Sequence, residues 1–129
     1  MRMTAGRKGD RRVSGLLRVP FVRLCHLDFP DGRQTDAFIV NINILGAYVA
    51  ADEMPDSTQL LRCRFQLPGN ERELSIGAGV AWINRKQQHP VHSLPAGFGI
   101  AFRDITPEDQ KRIEDVVLDY AARNPGVAR

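Results

Sequence analysis

The sequence predicts a mainly β fold, a small antiparallel β-barrel of six strands with one C-terminal α-helix. Three observations predict it. Short apolar or β-branched stretches recur between Pro, Gly and Asn turns, at the roughly 8–12-residue spacing of barrels and sandwiches. One stretch, Leu61 to Leu67, alternates strictly: Leu61, Cys63, Phe65 and Leu67 point one way while Arg62, Arg64 and Gln66 point the other. That period of two belongs to a half-buried strand. After the last such stretch the apolar period changes once to that of a helix.

In chain order, the first strand is Val19 to Leu27, ended by the turn Phe29-Pro30-Asp31-Gly32. The second is Thr35 to Ile42, and Gly46 to Ala50 resumes after a short break. Leu61 to Leu67 is the fourth, closed by the turn Pro68-Gly69-Asn70. A long return strand follows with Leu74, Ile76, Ala78, Val80 and Trp82 on one face; Trp82 could stack on a base, but a single Trp in such a strand is expected in the core. The last strand sets Phe98, Ile100 and Phe102 on its apolar face and Gly97, Gly99 and Ala101 behind them. Small residues there call for a neighbour packed closely on the second face. The helix begins with Thr106 as cap, Pro107 in the first helical position and Asp109 as capping partner. Ile113, Val116, Val117, Tyr120 and Ala121 form its apolar stripe, and Asn124-Pro125-Gly126 stops it. The expected organisation is a flexible basic arm over residues 1–12, barrel and helix over 13–122, and a tail over 123–129.

Composition bounds the function. The chain has 129 residues, 43% hydrophobic and 26% charged, enough for one domain with its own core. No apolar run is long enough to span a bilayer, and no apolar stretch follows the first arginines as in a secretory signal. Cys25 and Cys63 sit in alternating strands without partner spacing and read as reduced core thiols, so the expected location is cytoplasmic. Charge is uneven: the net value is +3, yet residues 1–18 alone carry +5, from Arg2, Arg7, Lys8, Arg11, Arg12 and Arg18 against Asp10. Such an arm is either a solvated solubilising tail or a partner for an anion.

Enzymatic motifs are missing: there is no Gly-x-Ser-x-Gly elbow, P-loop, Gly-x-Gly-x-x-Gly or His-Glu-x-x-His. His89 and His92 flank Pro90 in a loop without a third ligand nearby, and Asp52, Glu53 and Asp56 read as solubilising charges. No enzyme, metal or cofactor is expected. Nucleic acid is an unlikely partner, because the strands offer few exposed aromatics for stacking. Two features remain: Arg18-Val19-Pro20 at the end of the arm, and Asn41-Ile42-Asn43-Ile44-Leu45-Gly46-Ala47 at a strand junction. The second suits a structural turn, since Asn hydrogen-bonds its own backbone and Gly permits close approach. It also suits a ligand site, where amides meet a base edge while arginines pair with phosphate or guanine and stack on a purine.

At these residues the sequence resembles the PilZ domain family. There an Arg-x-x-x-Arg element leads into the first strand, an Asp/Asn-x-Ser-x-x-Gly motif follows, and a β-barrel ends in a helix. Arg18 is similar to the second arginine, and Asn41-x-Asn43-x-x-Gly46 is similar to the second motif. The late segments Val80-Ala81-Trp82-Ile83-Asn84 and Gly97-Phe98-Gly99-Ile100-Ala101-Phe102, with Thr106-Pro107-Glu108, resemble a subgroup abundant in myxobacteria. The resemblance covers roughly residues 11–120. It implies a six-stranded PilZ-like β-barrel and recognition of cyclic di-GMP. Two arginines would grip guanine and phosphate, and the Asn and Ser positions would contact a second guanine.

The departures bear on affinity. Ser14, not arginine, stands four residues before Arg18, so Arg11 or Arg12 serves only if the arm shifts. Arg7 and Arg11 have the right mutual spacing but lie too early, and Asn43 replaces the compact Ser. One lost bidentate contact costs about 2 kcal/mol or more, roughly thirty-fold in binding. The candidate ligand residues are therefore Arg11, Arg12, Arg18, Asn41, Asn43 and Gly46. The expected function is a non-enzymatic bacterial signalling adaptor with a degenerate cyclic di-GMP motif, acting on a motility, polarity, signalling or surface-machine protein. The alternative is a working cyclic di-GMP receptor whose basic arm closes over the nucleotide.

Overall fold

A computed structural model describes residues 16–56, 59–69, 72–85 and 94–128. Six strands follow one another: β1 (Val19–Asp28), β2 (Gln34–Ile42), β3 (Gly46–Ala50), β4 (Leu60–Gln66), β5 (Glu73–Asn84) and β6 (Gly97–Asp104). They precede one helix, α1 (Pro107–Arg123), and a 3₁₀ turn over Pro125–Ala128. All neighbours pair antiparallel, and the sheet closes on itself in the order β1-β2-β3-β6-β5-β4. Closure rests on a short seam in which His26, Leu27 and Asp28 face Arg64, Cys63 and Arg62.

The barrel interior is filled by the inward members of each alternation, among them Leu27, Ile39, Val49, Phe65, Leu74, Ile76 and Phe98. Helix α1 adds Ile113 and Val117 to the same core and runs beside Pro20, Phe21, Leu67 and Pro68. Its start follows from its cap: the Asp109 amide donates to Thr106 Oγ1 at 3.1 Å, and Pro107 occupies the first turn. The Asp109 carboxylate turns instead to Arg72, at 3.3 Å. At the far end Asn124 Nδ2 donates to the Tyr120 carbonyl at 2.9 Å. Among the described residues no helix is long and apolar enough to cross a membrane.

Cys25 and Cys63 are free, buried thiols on adjacent strands. Contact with Cys25 and burial push the Cys63 thiol well above its ordinary pKa.

Trp82 corrects the sequence-based expectation. Leu74, Ile76, Ala78 and Val80 do face the core, but Trp82 lies on the outer face, 43% exposed. Val80 pairs with Ile100 and Trp82 with Gly99, so Ala81 is an extra residue on β5. A bulge of this kind shifts the alternation by one, and every later side chain changes face. The small residues of β6 accommodate the result. A Cβ on Gly99 would stand 2.3 Å from the indole Nε1, so the missing side chain lets Trp82 lie against the β6 backbone.

Candidate ligand-binding site

The N-terminal end of β1 and the β2–β3 junction meet on the outer face of the barrel. Asn43 makes that junction. Its Oδ1 accepts from the Leu45 amide at 2.9 Å and the Gly46 amide at 3.0 Å, and its own amide donates to the Gly46 carbonyl at 2.9 Å. The other end of the side chain, Nδ2, donates to the Leu16 carbonyl at 2.8 Å and so pins the chain just ahead of β1. Buried to 7% exposure, Asn43 spends both ends of its amide on the backbone. Gly46 follows because β3 presses on β6: a Cβ there would lie 2.1 Å from the Ile100 carbonyl oxygen.

With the junction fixed, Arg18 and Asn41 come together. Arg18 Nη1 donates to Asn41 Oδ1 at 3.0 Å. Partial burial lowers the pKa of the guanidinium from its ordinary value, and arginine stays charged nonetheless. The two residues share a pocket of ≈ 290 Å³ with Leu45, Tyr48, Trp82 and Gly99 among its walls. The Tyr48 and Trp82 rings lie 5.3 Å apart at 31°, forming a continuous aromatic wall. Tyr48 is anchored at its hydroxyl, which donates to the Pro95 carbonyl at 2.5 Å and accepts from Asn84 Nδ2 at 3.1 Å. Burial raises the Tyr48 pKa, against the opposing pull of the Asn84 hydrogen bond, so the phenol stays neutral.

The pocket thus joins a cation, an amide and a flat π surface, which is the chemistry of a planar heterocycle carrying hydrogen-bonding edges and a nearby negative charge. Of the residues singled out by sequence, Arg18, Asn41 and Gly46 line this pocket. Asn43 is behind it, engaged with the backbone. Arg11 and Arg12 lie outside the described residues, as do Arg7, Ser14, His89, His92 and the arm as a whole. Tyr48 was not anticipated as a site residue, and Trp82, able to stack on a base, was expected in the core instead. The available signal was Gly99, a residue without a side chain on the strand next to a tryptophan.

A larger pocket of ≈ 380 Å³ lies between α1 and the barrel. Its charged lining residues are paired: Arg123 with Asp119 at 2.6 Å, Arg112 with Glu108 at 3.9 Å, and Asp115 with Lys111 outside the pocket at 3.4 Å. Among the described residues no group of three or more His, Cys, Asp and Glu side chains is placed to hold a metal ion.

Comparison with known proteins agrees with this architecture. The PilZ domain family matches residues 7–119. No curated protein sequence matches significantly. Among solved structures, the chain is similar to the Bacillus subtilis inhibitor of motility MotI/DgrA, with a TM-score of 0.69 at 20% identity over 83% of this chain and 50% of that one. It is similar to the PilZ domain with c-di-GMP of YcgR from Escherichia coli, with a TM-score of 0.61 at 10% identity over 84% of this chain and 93% of that one. It is also similar to PlzA of Borreliella burgdorferi in complex with c-di-GMP, with a TM-score of 0.54 at 18% identity over 88% of this chain and 46% of that one. The chain therefore spans half the length of MotI/DgrA, and at these identities the likeness is one of fold. By the family match over the barrel and helix, the chain belongs to the PilZ domain family.

Proposed function

We propose that the chain is a non-enzymatic signalling adaptor, and that its outer-face pocket receives a guanine base of cyclic di-GMP. One observation carries this: the Arg18–Asn41 pair faces the exposed indole of Trp82 in a single pocket. In this reading the base stacks on Trp82, Asn41 meets its edge, and Arg18 meets guanine or phosphate. Residues 1–12 act as a basic arm ahead of barrel and helix over 13–122, with a tail over 123–129. Arg11 or Arg12 supplies a second guanidinium as the arm folds over the nucleotide. The driving force is the contact the ligand makes only with the folded-over arm. The output is a protein contact in the bacterial cytosol. A motility protein is the first class of partner to test, since MotI/DgrA is an inhibitor of motility. The late segments ally the chain with the myxobacterial-type subgroup.

A second reading, a nucleotide-independent adaptor, is favoured by Asn43. Both ends of its side-chain amide are engaged with the backbone where the family motif has a serine hydroxyl, and Ser14 stands where an arginine is expected. Isothermal titration with cyclic di-GMP separates the two. The first reading expects binding in the micromolar range and a loss of about thirty-fold or more in Arg18→Ala. Absence of heat up to about 100 µM with folded protein selects the second.

A further inference from the structure

We infer, resting on the reading of the outer-face pocket as a cyclic di-GMP site, that Arg103 is a further cationic contact of that pocket and meets a phosphate of the nucleotide. Two rows of residues cross the pocket from strand to strand. Asn41, Tyr48, Gly99 and Trp82 pair in turn across β2, β3, β6 and β5 and form the aromatic row. Gly46, Ala101 and Gly79 pair across β3, β6 and β5 in the row beside it, and bring no side chain larger than a methyl to the face. Arg103 ends that second row. A Cβ on Gly79 would stand 2.5 Å from Arg103 Nε and 3.3 Å from Cζ, so the guanidinium occupies the space that a side chain at Gly79 would fill.

A bulge puts it there. Gly77 pairs with Asp104 and Ala78 with Phe102, so Arg103 is an extra residue on β6. It is exposed, and among the described residues no carboxylate pairs with it. Asp104, next in the chain, is turned to Arg62 at 3.4 Å, and Arg62 lies over Gly77, on the side of Arg103 away from the pocket. Arg64, by contrast, is held by Asp28 and Arg72 by Asp109. Among the described residues no acidic side chain lines the pocket. A guanidinium without a counter-charge, beside a pocket without a carboxylate, favours an anion. Register decides which part of the ligand it meets. The two rows are two residues apart, about 7 Å, so a base stacked on Trp82 puts its attached phosphate within reach of Arg103. From Asn41 on β2 to Gly79 on β5 is three strand spacings, about 14 Å along the sheet, which sets Arg18 and Arg103 on opposite sides of the pocket. That span exceeds a single base and suits a dinucleotide. The contact comes from the barrel itself and requires no part of residues 1–12.

Isothermal titration of the full chain with cyclic di-GMP tests it. Arg103→Gln should raise the dissociation constant about tenfold, with an unchanged circular-dichroism melt because the side chain is exposed and holds no ion pair among the described residues. Arg103→Lys keeps the charge and should retain most of the affinity. Arg123→Gln removes the same charge from α1, outside this pocket, and should bind as the wild type does. An unchanged affinity in Arg103→Gln overturns the inference; if Arg18→Ala still weakens binding, the guanine site itself stands. An equal loss in Arg123→Gln would assign the effect to net charge and overturn the inference as well. A loss in the lysine variant as large as in the glutamine variant overturns the phosphate assignment. A wild type without heat up to about 100 µM overturns both the contact and the site it belongs to.

Discussion

Asn43 shows how one residue can look like a ligand group and work as a fastener. Its Oδ1 organises the β2–β3 turn and its Nδ2 holds the Leu16 carbonyl, so the position fixes where Arg18 enters the site. Asn43→Ala leaves buried backbone groups unpaired and should cost about 1–3 kcal/mol of stability by urea unfolding. Sequence left turn and ligand site both open here, because an Asn-x-x-Gly spacing serves either equally well. Gly99 is the reverse case, a residue whose role is set by its neighbour. Gly99→Ala forces the Trp82 indole off the β6 backbone, which requires only a side chain to move. The expected outcome is a folded protein with shifted tryptophan emission and weaker nucleotide binding. An unchanged emission spectrum would show that Gly99 does not set the indole position.

Among the elements, the short β1–β4 seam carries a pH-sensitive pair. Asp28 accepts from Arg64 Nε at 2.6 Å and Nη2 at 3.1 Å across that seam. The Arg64 hydrogen bond holds the Asp28 carboxyl below its ordinary value of 3.8. A depressed carboxylate pKa adds stability that is fully present above the unfolded value and is lost as pH falls through the folded one. Stability should therefore decline below about pH 4 through this pair, and Asp28→Asn should flatten that part of the pH–stability curve. An equally steep curve in the variant would assign the acid sensitivity to other carboxylates. The elements themselves were legible: all six strands and α1 follow from alternation, turn residues and the Thr106 cap. The bulge at Ala81 was not, because an extra residue in a ladder is defined by its partner strand. That one step carried Trp82 from the expected core to the outer face.

For the molecule as a whole, barrel and helix could be inferred from sequence, whereas the closure of β3 on β6 and β4 on β1 required coordinates. The non-local pairings assemble the site, bringing Arg18, just ahead of β1, and residues of β2, β3, β5 and β6 around one pocket. Arg18, Asn41 and Gly46 were legible as a motif, while the aromatic wall came only with the pairing of Trp82 beside Gly99. Trp82 is the chain's single tryptophan, which makes the pocket its own reporter. The most direct test is a titration of intrinsic fluorescence with cyclic di-GMP, in wild type and in Arg18→Ala. Saturable quenching in the wild type, shifted about thirty-fold or more to higher concentration in the variant, is the predicted result. Emission that does not respond to the nucleotide, or responds identically in both proteins, would contradict a guanine site at Arg18, Asn41 and Trp82.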